Sequence, residues 1–113
     1  MRDQFQSNRC ARLLKALADP QRLKIVQCLQ RGPCSVSEVA NCLGDGLARV
    51  SHHLGVLRHA GFVVDRKQGK QVIYSLDPEV FVPSGRSQTL DIVDLGCCRI
   101  ELGSVRGQQR GSR

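Results

Sequence analysis

A helix-period stripe that runs straight into a basic hairpin constrains this chain more than any other feature. Leu47, Val50, Leu54 and Leu57 recur at the intervals that put side chains along one face of a helix. The stripe predicts a helix from Leu47 to Ala60 whose apolar side faces a core, with Gly61 as its stop. Ala48, Arg49 and His52 then fall on the far side, and Ser51 and His53 on the shoulders, so small and polar groups face outward near the helix N-terminus. Phe62 and Val64, followed by Val72, Tyr74 and Leu76, alternate as the inward face of a hairpin spanning Phe62 to Leu76. At its tip Gly69 permits the positive φ of a tight turn, and Arg66, Lys67 and Lys70 surround it with cations that can reach phosphates. Helix followed by basic hairpin predicts a DNA-reading head; the alternative for the tip is an ordinary solvated turn.

Charge supports a polyanionic partner. The net charge of +7 is concentrated in this head, where Arg49, Arg58, Arg66, Lys67 and Lys70 face one acid, Asp65. With 113 residues the chain is expected to form one domain, burying roughly two thirds of its unfolded surface. Three Phe, one Tyr and no Trp leave packing to Leu, Val, Ile and Ala, and a homodimer interface would add buried area. No apolar run reaches membrane-spanning length and the polar start is no secretory signal, so a cytoplasmic protein without membrane contact is expected. In that setting the six cysteines are expected to be reduced thiols rather than a disulfide scaffold.

Punctuation along the chain predicts the remaining elements. Cys10, Leu13, Leu14 and Leu17 form a first helical stripe, ended by Asp19-Pro20. Pro20 suits the first turn of a second helix that buries Leu23 and Val26, with Ile25 and Leu29, and stops at Gly32-Pro33. Ser35 with Glu38 three residues later is a capping box for a short third helix burying Val36, Val39, Ala40 and Leu43. Pro83 to Gln88 reads as a linker, and residues 103–113, with Arg106, Arg110 and Arg113 among Gly, Ser and Gln, read as a disordered basic tail after a domain of residues 1–102.

Four blocks in this order resemble the ArsR/SmtB family of winged helix-turn-helix metalloregulatory repressors. They are Leu13 to Leu23, Ser35 to Ala40, Val50 to Leu54 running on to His59-Ala60-Gly61-Phe62-Val63, and Val72 to Leu76. Each is weak alone; order and spacing make the likeness specific. The resemblance implies an α+β winged helix-turn-helix, mostly helical with a two-stranded wing. It further implies a homodimeric repressor of a double-stranded DNA operator, with no cofactor needed for DNA binding and an affinity that falls when a metal or metalloid binds.

In such a fold the second helix of the helix-turn-helix enters the major groove, which makes Arg49, Ser51 and His52 the base-facing candidates. Arg49 can pair with a guanine edge or touch phosphate alone, and Ser51 and His52 can meet bases or phosphates. Lys67 and Lys70 are the wing contacts to phosphate or the minor groove. Leu47 departs from the polar residue usual in the family, and His53 is expected to pack.

The sensor departs further. Ser35 and Ser37 stand where the family often carries two cysteines, and no histidine follows His59, so neither familiar metal site is complete. Cys97-Cys98 remains, in a segment from Leu90 to Leu102 that partly alternates like a strand, so the usual C-terminal dimerisation helix is expected to be shortened or replaced. In a regular strand adjacent thiols point to opposite faces; both can meet one ion only if the backbone bends, which Gly96 allows. A third thiolate would complete a trigonal site for arsenite or another thiophilic ion. Because the N-terminal helix and C-terminal segment of similar proteins pack together at the dimer interface, Cys10 is the first candidate; Cys34 and Cys42 are alternatives. Cys28 and Cys42 also read as small core residues. Two other readings stay open, a thiol redox-responsive repressor and a winged-helix module that binds an acidic protein. An enzyme is not expected: all three histidines lie in the head helix and no nucleophile-base pair is present.

Overall fold

Local capping signals set the order of elements. The computed structural model describes residues 2–83 and 91–102, with side chains from Ser7 onward. The chain runs α1 (Arg2–Leu17), α2 (Pro20–Leu29), β1 (Cys34–Ser35), α3 (Val36–Leu43), α4 (Leu47–Ala60), β2 (Val63–Gln68), β3 (Gln71–Leu76), β4 (Phe81–Val82), β5 (Ile92–Asp94) and β6 (Arg99–Glu101). The expected linker, all but Pro83, and the basic tail lie outside the described residues.

Asp19 starts α2, its Oδ1 accepting the N–H groups of Gln21 at 2.8 Å and Arg22 at 3.2 Å, with Pro20 in the first turn. Burial acts to raise the Asp19 carboxyl, but those two hydrogen bonds, with the charges of Arg22 and His53, outweigh it and hold it below its ordinary value of 3.8. Ser35 and Glu38 form the capping box of α3: Ser35 Oγ accepts the Glu38 N–H at 3.2 Å, and Glu38 Oε1 accepts the Ser35 N–H at 2.8 Å. Gly61 ends α4 in the left-handed region, at φ 90°.

Two antiparallel sheets accompany the helices. One has the order β1-β3-β2, so the wing hairpin β2-β3 gains a short third strand; the other has the order β4-β5-β6. The C-terminal segment is thus a strand hairpin, as its alternation predicts. The core joins all of this. Ile25, Val26, Val39, Val50, Leu54 and Leu57 are fully buried, each worth roughly 1.5 to 3 kcal/mol of apolar transfer. Phe62, just after α4, meets Phe81 of β4 edge to face at 6.1 Å, and Phe81 pairs with the buried Val93 of β5. That contact fixes the second sheet to the helical body.

Five expectations need correction. Leu47 does not pack: it stands at the first position of α4, ahead of the core, and is 55% exposed. Val64 is exposed and Val63 buried, because Phe62 still belongs to the helix end, where its N–H bonds Leu57 O at 2.9 Å, and the alternation begins one residue later. Leu14 is exposed, since α1 meets the body along Cys10, Leu13, Ala16 and Leu17 only. Cys42 is exposed on the rim of α3 and is not a core residue. The structure also joins Cys28 to Cys42 and Cys10 to Cys97 as disulfides, where reduced thiols were expected; α2 against α3, and α1 against the β5-β6 turn, bring the pairs into bonding range.

Candidate nucleic-acid interface and thiol cluster

The outward side of α4 carries Ala48, Arg49, Ser51 and His52, all exposed, next to the exposed Leu47. The turn before the helix sets up this face. Asp45 Oδ1 accepts the Gly46 N–H at 2.7 Å, Asp45 Oδ2 accepts Gln21 Nε2 at 2.7 Å, and the Arg49 guanidinium lies 3.9 Å away, one turn into the helix. The Gly46 bond first, then the Gln21 bond and the charges of Arg49 and His53, outweigh burial and hold the Asp45 carboxyl below its ordinary value. Arg49 is 70% exposed, so the ion pair orients it without withdrawing it from solvent.

His53 is half-buried, and Arg22 explains why. The Arg22 guanidinium donates to Ala16 O and to His53 Nδ1 at 3.1 Å, linking the end of α1, α2 and α4 through one side chain. At the wing, Gly69 has φ 63° in a two-residue loop with Lys70, and Arg66, Lys67 and Lys70 are exposed around it. An ion pair between Arg58 and Asp65 at 4.0 Å ties α4 to β2 and accounts for the one acid of the head.

The second site lies where α1 meets the β5-β6 turn. Gly96, at φ 88°, reverses the chain, its N–H bonded to Asp94 Oδ1 at 3.0 Å and the Leu95 N–H to Cys98 O at 2.9 Å. Cys97 and Cys98 therefore sit in a turn and not in a regular strand, and both sulfurs reach the same side. Cys10 of α1 is bonded to Cys97, lies 3.8 Å from Cys98 by sulfur, and Cys97 lies 4.0 Å from Cys98. All three sulfurs fall within 4.8 Å of one another. Trigonal bonds of about 2.3 Å to a soft ion would place sulfurs about 4 Å apart, so the donor set fits once the Cys10–Cys97 bond is reduced. Of the alternatives, Cys42 is bonded to Cys28, and Cys34 stays apart, its Sγ donating to Gly32 O at 3.6 Å. Burial, then the nearby Glu38, push the Cys34 thiol up, which keeps it protonated.

Sequence reading missed Arg9 and Arg22. Arg9 Nη1 donates to Leu95 O at 3.4 Å, tying α1 to the thiol-bearing turn. Neither contact leaves a sequence signal, because each joins segments distant along the chain. The Asp45 to Arg49 spacing of four was readable.

Helix α3, the Gly44 to Gly46 turn, outward-facing α4 and the β2-β3 wing define a winged helix-turn-helix, a DNA-binding class. A family model described as a helix-turn-helix domain matches residues 17–66. The probable mercury resistance operon repressor of Streptomyces lividans is 39% identical over 104 residues, covering 88% of this chain and 82% of the relative. The HTH-type transcriptional regulator NmtR of Mycobacterium tuberculosis is 44% identical over 66 residues, covering 58% of this chain; the match spans little more than half of NmtR, 55%. Among solved structures, the homodimeric winged helix-turn-helix DNA-binding domain from Mycobacterium bovis, described as a possible ArsR-family transcriptional regulator, superposes with a TM-score of 0.63 at 32% identity, over 66% of this chain and 69% of that one. The chain belongs to the ArsR family of winged helix-turn-helix transcriptional regulators.

Proposed function

We propose that this chain is a dimeric repressor that binds a double-stranded operator through Arg49, Ser51, His52, Lys67 and Lys70. In this account a thiophilic metal or metalloid held by Cys10, Cys97 and Cys98 releases the operator. The carrying observation is the convergence of three sulfurs from opposite ends of the chain within 4.8 Å. Three thiolates and no nearby oxygen or imidazole donor suit arsenite, mercuric ion or another soft species. The ion would clamp α1 to the β5-β6 turn. The name of the Streptomyces lividans relative, a probable mercury resistance operon repressor, supports the same ligand class. Leu14, exposed on α1 at 38%, supports a second copy on this helix. Among the described residues no helix is long and apolar enough to cross a membrane, and we place the protein in the cytoplasm with its DNA.

The bonded Cys10–Cys97 pair favours a second reading, in which oxidation closes the same site. A peroxide would take two electrons and two protons from the two thiols, leaving one disulfide and two waters.

The test is fluorescence anisotropy of a labelled duplex selected by the reduced protein from a random pool, titrated with arsenite, mercuric ion, zinc or hydrogen peroxide. Release by arsenite or mercuric ion, lost in Cys97→Ser, is the expected result. Release by peroxide alone, reversed by dithiothreitol, selects the redox reading. Duplex retained through all four additions contradicts both.

A further inference from the structure

An open trough of about 1150 Å³ separates α1 from α4. Small residues make its floor, Ala16 from one side and Gly55 from the other, so the two helices leave room between their polar edges. None of the residues lining it is acidic, whereas α1 contributes Arg9, Arg12 and Lys15 to one wall. Arg9 is committed to Leu95 O, and Arg22, at the trough's end, to Ala16 O and His53. Arg12 and Lys15 are exposed and appear in none of the ion pairs among the described residues. The opposite wall begins with Ser51 and His52, the same residues that border the base-facing side of α4.

We propose that this trough seats the sugar-phosphate backbone flanking the bases read by α4, with Arg12 and Lys15 as its phosphate contacts. The inference rests on the DNA-binding reading above and extends it to a helix outside the helix-turn-helix. A helix lying in the major groove has a phosphate strand along each flank, so a cationic wall continuous with its base-facing edge meets one of them. The trough is too open to enclose a small anion, which would need most of its surface buried. Its one-signed charge and its continuity with Ser51 and His52 match a polyphosphate strand. Because Cys10 lies on α1 as well, an ion at the thiol cluster acts on the same helix that holds these phosphates.

The test compares wild type with Arg12→Ala/Lys15→Ala for binding to the selected duplex and to a shuffled duplex of equal composition, across a salt series. The variant is expected to weaken binding to both duplexes by a similar factor and to flatten the slope of log K against log salt by about two, close to 0.9 for each lost phosphate contact. Arg12→Lys/Lys15→Arg should restore the slope. An unchanged slope, or a loss confined to the selected duplex, overturns the inference. So does a variant that sediments as a monomer where wild type is a dimer, since the trough would then be a contact between copies. Absence of salt-dependent binding by wild type itself would refute the DNA-binding reading instead.

Discussion

The sulfurs of Cys10 and Cys98 lie 3.8 Å apart although 88 positions separate them in sequence. Only the packing of α1 against the β5-β6 turn achieves this, which makes the thiol site a reporter of that packing. Cys10→Ser and Cys98→Ser should each remove the ultraviolet thiolate-to-metal absorption that reduced wild type develops with mercuric ion, while Cys34→Ser should leave it intact. Equal signals in all three variants would show that the cluster does not act as a unit.

Phe81 holds the thiol-bearing sheet to the body through Phe62 and Val93. Phe81→Ala should cost roughly 3 to 5 kcal/mol in urea unfolding, as expected for a fully buried ring. It should also weaken metal binding, because the turn carrying Cys97 and Cys98 depends on that sheet. A loss below 1 kcal/mol would mean that the second sheet is not anchored as described.

Arg49 and Lys70 should fail in different ways. Arg49→Ala is expected to cost about 1 to 3 kcal/mol on the selected duplex and much less on a shuffled one, if it reads a base edge. Lys70→Ala should weaken both about equally and flatten the salt slope by about one. Anisotropy titrations on the two duplexes separate these outcomes. Leu47→Ser, at an exposed position, should change stability by no more than about 0.5 kcal/mol.

Acid should weaken the two carboxylates that organise the helix starts. Asp19 and Asp45 are held below their ordinary 3.8 in the folded chain, so each binds its proton more readily when unfolded. Their contribution is present above the unfolded value and is lost as pH falls through the folded one. Asp19→Asn and Asp45→Asn should therefore lower Tm at neutral pH, with the gap from wild type closing as the pH falls below about 4. A gap independent of pH would show that the carboxylate charge is not what stabilises these turns.

The helix-turn-helix was legible in sequence because its signals are local. Ser35 and Glu38, Pro20, and Gly61 each act within a few residues, and the predicted span of α4 from Leu47 to Ala60 matches the observed one. Periodicity could not show where the stripe leaves the core, and Leu47, at its first position, is exposed. Counting alternation from Phe62 shifted β2 by one residue, because that side chain is buried by the helix end and not by the strand. At the C-terminus Gly96 indicated that a bend was available, but not that the turn would meet Cys10; that depends on how α1 packs. The Cys28–Cys42 bridge was hidden for the same reason, since it records the approach of α2 to α3.

The most direct test of the central claim is a titration of the reduced protein, bound to its labelled selected duplex, with arsenite or mercuric ion. Complete release near one ion per protomer, with Cys98→Ser remaining bound over the same range, is the predicted result. A wild-type complex that survives saturation with both ions would contradict the claim that Cys10, Cys97 and Cys98 form the inducer site.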